Sequence, residues 1–339
     1  SRHLLEKVQS IAVGILEGRD REVPLCSPDH KFWTPSERKP PMLDEVSTSL
    51  LAAGHDAAAA VATAVRDLPS DSPEYRAFWA VVGSLVADAA AQPTHWNYKV
   101  TYYQNNLKEM GHWDQPEFLK PSMNAYYRVP LGSHSCFGDQ AATILRSLVH
   151  SAGQVDIADL TARHVDKFGP QGDYGTMGRH DGAAGGDLPI EGPWRHGSIS
   201  SFLRNVEAGV PYPQCGANDG SSDCFVKTVP VVALYAGHPE LLQKVEQVCR
   251  LTQNGQYPVA FALASARILE QIILTGVCGA EALSLAARAL QKPGSGRGQQ
   301  GLDAAISREI LKTMELQHLP FLDGVLAYCG GKYNAVSVS

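Results

Sequence analysis

The chain has 339 residues, 44% of them hydrophobic, and a net charge of −6 from 29 basic and 35 acidic side chains. This length predicts one large domain with an appendage, or two domains, around a sizeable core. No Lys/Arg cluster is present to neutralise a phosphate backbone, so nucleic acid is not an expected partner.

Residues 1 to 70 read as an N-terminal extension: a helix, then the proline- and charge-rich loop "REVPLCSPDHKFWTPSERKPPM", then alanine-rich helices. The turn cluster "LPSDS" closes it, and residues 71 to 339 form the main domain. "PEYRAFWAVVGSLVADAAAQ" is the first helix there. Ser72 is placed to cap it, Pro73 suits its first turn and Pro93 ends it. The apolar stretch Ala77 to Ala91 is broken by Ser84 and Asp88, so no membrane span is expected.

In "HSCFGDQAATILRSLV", Ile144, Leu145, Leu148 and Val149 share a face at helical spacing. Asp139 is therefore the natural start of this helix, and Gly153 its stop. "VDIADLTARHVDKFG" is the next helix. Between Gly169 and Gly197 lies a long non-helical segment with nine glycines, of the kind that is functional or disordered in a compact domain. Its end carries Trp194, Arg195 and His196, and a helix begins near Ser198.

"GANDGSSDCFVKTVP" runs from a polar loop into a helix that Asp223 is placed to cap. "PELLQKVEQVCRLTQ" aligns Leu241, Leu242, Val245, Val248 and Leu251. "PVAFALASARILEQIILTG" is apolar almost all round, which predicts a central helix. "GAEALSLAARALQK" and "LDAAISREILKTMELQ" follow. No period-2 alternation is long enough to build a sheet, so the fold class is all-α.

Three polar joints precede or separate these helices. At the first, Asp139 is either a helix cap or a carboxylate aimed at a metal or ligand. At the second, Asn218, Ser221 and Ser222 form either an ordinary turn or a loop whose amides and hydroxyls receive a phosphate. At the third, Gln253 and Asn254 stand in "TQNGQYP", a plain turn on the simpler reading. The "EGPWRHG" loop also divides two ways. Trp194 stacks on a ligand while Arg195 binds an anion, or Trp194 plugs the core and Arg195 pairs with an acid such as Glu191 or Asp139. Seven cysteines without Cys-x-x-Cys spacing predict neither a disulfide framework nor a zinc ribbon. A reduced, cytoplasmic setting follows. Cys136, beside Asp139, is either a buried packing residue or a thiol activated at a helix start.

In order along the chain, four segments resemble the ADP-ribosylglycohydrolases. "GSLVADAAAQPTHW" is similar to the family's opening Gly-x-x-x-Gly-Asp-Ala-x-Gly-x-Pro motif. "FGDQAATILRSLV" is similar to its Thr-Asp-Asp-Thr segment and following helix. "GANDGSSDCFVKTVPVVALYAG" is similar to its Gly-Asn-Gly-x-x-Met-Arg-x-x-Pro-Leu-Gly segment, and "RLTQNGQYPVAFALA" to its Thr-His segment. The resemblance covers Pro73 to about Gly276, and "LPIEGPWRHGSI" is most similar to the branch holding the J-crystallins and selenoprotein J. It implies an all-α domain in which two Mg²⁺ ions hold an ADP-ribose for glycosidic cleavage. By that resemblance Asp139 is the catalytic and metal-ligating residue. Gln140, Trp194, Arg195, His196, Asn218, Ser221, Ser222, Gln253 and Asn254 line the ligand site, with Asp88 behind them. The expected partner is ADP-ribose, free or protein-linked. Two departures stand against this. Phe137-Gly138-Asp139-Gln140 keeps one carboxylate of the family's pair, and no acidic residue follows Asp323. Two functions are therefore expected as alternatives: hydrolysis of an ADP-ribosyl linkage with a reduced ligand set, or a catalytically inactive structural or ADP-ribose-binding protein of the crystallin kind.

Overall fold

The computed structural model describes residues 68–97, 99–175, 188–292 and 300–328. The predicted extension, up to residue 67, and the end of the chain from 329 lie outside the described residues, as does most of the glycine-rich segment. Ser72 accepts the Tyr75 amide at 3.1 Å and starts α1 (Pro73–Ala91), which passes into a 3₁₀ turn, Gln92–Thr94, containing Pro93. Then come α2 (Val100–Glu109), α3 (Cys136–His150), α4 (Ile157–Phe168) and α5 (Gly197–Glu207). The second half holds α6 (Cys224–Tyr235), α7 (Leu241–Thr252), α8 (Gln256–Thr275), α9 (Gly279–Leu290), α10 (Gln300–Glu315) and α11 (Phe321–Tyr328). Among the described residues the strands are β1 (Tyr127–Arg128) and β2 (Ile190–Glu191), paired in parallel with Tyr127 opposite Ile190. The fold is all-α.

Two apolar helices form the centre. α6 packs against α8, α3, α7 and α1, while α8 also meets α9 and α10. Their facing side chains, among them Val231, Val232, Val259 and Ala262, join Ile144, Leu148, Leu160, Phe202 and Val248 in one buried core. Burying each large aliphatic side chain of this kind is worth about 1.5–3 kcal/mol before the entropy of ordering the chain is subtracted. α8, and not the Ala77–Ala91 stretch, is the described helix long and apolar enough to cross a membrane; 44% of its apolar window is buried inside the protein.

A second cluster supports one end of this core. Tyr127, Cys136, Phe168, Tyr174, Ile190 and Ile199 are buried there, with Trp96, Tyr126, Phe137 and Trp194 packed over them. The short β1–β2 pairing joins the two walls of this cluster. The starts of α3, α5 and α6 and the end of α7 meet around it, and that is where the polar joints converge.

Candidate functional site

At the start of α3 the helix cap is Ser135, not Asp139. The Ser135 hydroxyl accepts the Phe137 amide at 3.1 Å, and α3 begins at Cys136, three residues earlier than the apolar spacing places it. Apolar periodicity marks only the buried turns, whereas the cap is set by the backbone. Asp88, on α1, in turn holds Ser135. Its two carboxylate oxygens accept the Ser135 amide at 2.8 Å and the Ser135 hydroxyl at 2.5 Å. This contact explains Gly138. A Cβ at that position would stand 2.2 Å from Asp88 Oδ2, so glycine leaves the room in which this carboxylate reaches Ser135.

Asp139 faces the other way. Its Oδ2 accepts the Tyr174 hydroxyl at 2.9 Å and lies 3.2 Å from Lys167 Nζ, and its Oδ1 lies 3.6 Å from His134 Nδ1. Burial alone would raise this carboxyl. The neighbouring His134 imidazole, the Lys167 charge and the Tyr174 hydroxyl outweigh it, so the carboxyl is held below its ordinary range. Asp139 is therefore a neutralised carboxylate at 18% side-chain exposure. Lys167 is shared with Asp173, at 2.6 Å.

Gln140 opens a buried polar chain. Its Oε1 accepts the Thr252 hydroxyl at 3.0 Å. Lys227 donates to Thr252 Oγ1 at 2.5 Å and to Gln253 Oε1 at 3.1 Å. Gln253 Nε2 then reaches Asp223 Oδ1 at 3.2 Å, the Ser221 carbonyl at 3.3 Å and Asp219 Oδ1 at 3.4 Å. A parallel bridge between Ala217 and Gln253 closes the joint. Lys227 is 2% exposed and Gln253 fully buried, so each polar group here must find its partner inside the protein. Asp223 does not cap α6 with its side chain, contrary to the expectation; its Oδ1 is taken by Gln253 instead.

The remaining predicted residues divide. Asn218 is exposed, and Ser221 and Ser222 are half-buried at the rim. Asn254 is held by Arg250, whose Nη1 donates to its Oδ1 at 2.6 Å. His196 caps α5. Its Nδ1 lies 2.9 Å from the Ser198 hydroxyl and 3.8 Å from Asp223 Oδ2, and its ring sits 5.2 Å from that of Phe137. Trp194 packs edge-to-face on Tyr126 and Trp96, at 5.4 and 6.1 Å. Trp96 has a left-handed φ of 58° and contacts four rings, those of Tyr126, Tyr127, Phe137 and Trp194. Such a backbone persists where the packing over-determines it. Arg195 donates from Nε to the Phe168 carbonyl at 2.6 Å and from Nη2 to the Tyr174 carbonyl at 2.7 Å. These bonds fasten the turn after α4 that delivers Tyr174 to Asp139. Cys136 is 2% exposed, and burial pushes its thiol well up, which makes it a packing residue.

The three joints thus meet, but as a cluster whose hydrogen bonds are largely satisfied from within. Lys167, Tyr174, Lys227, Thr252 and Asp219 were not singled out from the sequence. Lys167 reads there as an ordinary cation at a helix C-terminus, and Tyr174 lies in a glycine-rich loop with no periodicity. Lys227 stands where the family motif has arginine, and that was the one available signal. The donor set does not fit a pair of Mg²⁺ ions. Such cations need several hard oxygens each. Here Asp139 Oδ2 is taken by Lys167 and Tyr174, and both oxygens of Asp88 are taken by Ser135. Phe137 and Gly138 offer no side-chain ligand. Among the described residues no group of three or more His, Cys, Asp and Glu side chains converges.

A family model described as ADP-ribosylglycohydrolase matches residues 69–331. Crystallin J1A of Tripedalia cystophora is 35% identical over 209 residues, which is 62% of this chain and 62% of that protein. Crystallin J1B of the same organism is 32% identical over 209 residues, again 62% of each chain. The matched region therefore spans 62% of the length of these relatives. No solved structure matches.

Proposed function

The chain belongs to the ADP-ribosylglycohydrolase family, and from that membership we propose a binding or structural role of the crystallin kind rather than two-metal hydrolysis. The observation that carries this reading is Asp139. The carboxylate that matches the family's acidic motif is closed by Lys167, Tyr174 and His134. Arg195, which on the sequence suits an anion, spends two donors on backbone carbonyls. Gln140 and Gln253 are buried in a hydrogen-bonded chain. Mg²⁺ is implied by the resemblance alone, and since the described donors do not fit it, no step is routed through it.

The family acts on ADP-ribosylated substrates, so ADP-ribose is the ligand to test. The groups left at the rim to meet it are Asn218, Ser221, Ser222 and the half-buried rings of His196 and Phe137. Incubation of the full chain with an ADP-ribosylated peptide, with and without Mg²⁺, should release no ADP-ribose above background. Release that Asp139→Asn abolishes would overturn the proposal. It would favour the second reading, hydrolysis with Asp139 as the working carboxylate. One observation supports that reading: the Asp139 carboxyl is held ionised, which is the state a general base requires.

A further inference from the structure

The segment after α2 wraps over the end of α1 and its 3₁₀ turn. The Phe118 amide donates to the Ala90 carbonyl and the Met123 amide to the Pro93 carbonyl, both at 2.8 Å. Asn124, fully buried, is the hub. Its Nδ2 donates to the Gln92 carbonyl at 3.1 Å, and its Oδ1 accepts the Tyr126 and Tyr127 amides at 2.9 and 3.2 Å. The His95 amide donates to the same Gln92 carbonyl at 3.2 Å. Gln92, His95 and Tyr127 are thus drawn together through their backbones.

Their side-chain ends are left over. Gln92 Nε2, His95 Nδ1 and the Tyr127 hydroxyl oxygen are each buried with no hydrogen-bond partner among the described residues. Gln92 and Tyr127 are both 1% exposed. The same neighbours act on all of them. Burial pushes the Tyr127 phenol up, with the Gln92 amide and the Asp88 carboxylate beside it; burial lowers His95, against the same Asp88 charge. Asp88 is not the missing partner, since both its oxygens are taken by Ser135. On the outside the Trp96 ring lies against those of Tyr127 and Phe137, at 5.6 and 6.4 Å between centroids. An unpaired buried polar group is costly, and three in one place call for a shared partner.

We propose that one internal water molecule sits among Gln92 Nε2, His95 Nδ1 and the Tyr127 hydroxyl, as a structural ligand that joins the end of α1 to β1. The chemistry of the three atoms selects it. The amide nitrogen can only donate, so it refuses a cation. The Asp88 carboxylate nearby refuses an anion. Water accepts from the amide and the phenol and donates to the imidazole nitrogen, which makes about three bonds, the usual number for a buried water. That balance also fixes the His95 tautomer: Nδ1 accepts, so the ring proton is on Nε2. The site stands whether or not the chain cleaves ADP-ribosyl bonds, and its test does not read that activity.

The test counts long-lived internal waters in the full chain by water magnetic relaxation dispersion, with urea unfolding beside it. Replacing both donors, Gln92→Met together with Tyr127→Phe, should remove one water from the parent's count. Each single replacement should lower the folding constant about tenfold, the scale of buried groups losing their partner. The pair should lower it by less than the product of the two, because all three groups share one molecule. An unchanged count would overturn the proposal and assign the coupling to a direct Gln92–Tyr127 bond. Single variants as stable as the parent would overturn it too, since an orphaned polar group loses nothing on becoming apolar. If the paired variant does not fold, the His95 ring of the parent decides, read by ¹⁵N resonance. A proton on Nε2 is expected, and a proton on Nδ1 would end the proposal.

Discussion

Replacing Arg195 by alanine separates a structural arginine from a ligand-binding one. The side chain donates to two backbone carbonyls, those of Phe168 and Tyr174, at 2.6 and 2.7 Å. A hydrogen bond from a charged group is worth about 1.5–3 kcal/mol. Because both bonds share one guanidinium, their losses do not add fully, and about 3 kcal/mol is the expected cost. For a domain of this size that lowers Tm by roughly 6–12 °C. The damage should spread along a defined route. With the Tyr174 carbonyl released, the Tyr174 hydroxyl no longer holds Asp139, so amide exchange should rise at residues 168–175 and at the start of α3. Arg195→Lys, which keeps the charge but not the fork, should recover less than half of the loss. Urea denaturation, thermal melting and hydrogen exchange read these effects directly. The reasoning is refuted if Arg195→Ala melts with the parent while binding ADP-ribose tenfold more weakly, because the arginine would then be serving a ligand and not the turn.

Three further outcomes are expected. Gly138→Ala drives a methyl group into the Asp88 carboxylate, and overpacking of this kind costs about 1–3 kcal/mol; urea unfolding measures it, and parental stability would show that the carboxylate is not pinned against Gly138. His164 is fully buried between Phe168 and Phe202, and desolvation, with a smaller contribution from the Lys227 charge, lowers its pKa to about 4. Its folded pKa lies below the unfolded value near 6.5, so the stability it allows is complete above pH 6.5 and is lost as the pH falls toward 4. Between pH 8 and pH 5 this amounts to about 2 kcal/mol, and His164→Phe should flatten that part of the urea-stability profile; an unchanged slope would remove His164 as its source. Lys227→Met leaves the buried Gln253 Oε1 without its Lys227 donor, at a cost of about 1–3 kcal/mol, and should raise amide exchange at residues 217–223, the loop that Gln253 holds.

The helices were legible because each long one carries its apolar face at the right period and a recognisable end. Ser72 and Pro73 at α1, and Gly276 after α8 with φ 70°, lie where the sequence puts them. α2 was not anticipated, since "VTYYQNNLKE" lacks an apolar stripe, and neither was the short α11. At the site, the order of the motifs told which joints would meet, and Gln140, Gln253 and the 217–223 loop do meet. Their hydrogen-bond partners were not legible. Whether Asp139 meets a metal or Lys167 depends on a turn from Gly169 to Gly175 with no periodicity to read. Whether Arg195 meets a phosphate or two carbonyls depends on where that turn ends. Gly138 was noticed in the sequence, but its reason is a carboxylate 50 positions away in the chain, and only packing reveals that.

The polar cluster also has a position in time. Its bonds join partners far apart in sequence: 35 residues between Tyr174 and Asp139, 47 between Ser135 and Asp88, and 112 between Thr252 and Gln140. By contrast α8, α9 and α10 are sequential neighbours that pack on one another. Closing long loops costs entropy before it returns any contact, so these bonds are expected to form after the rate-limiting barrier, and Lys227→Met should then speed unfolding and leave the folding rate unchanged. Interactions absent from the transition state govern the rate of escape from the native state. On that expectation the cluster is a latch on the finished fold, setting how long a molecule stays folded rather than how quickly it gets there.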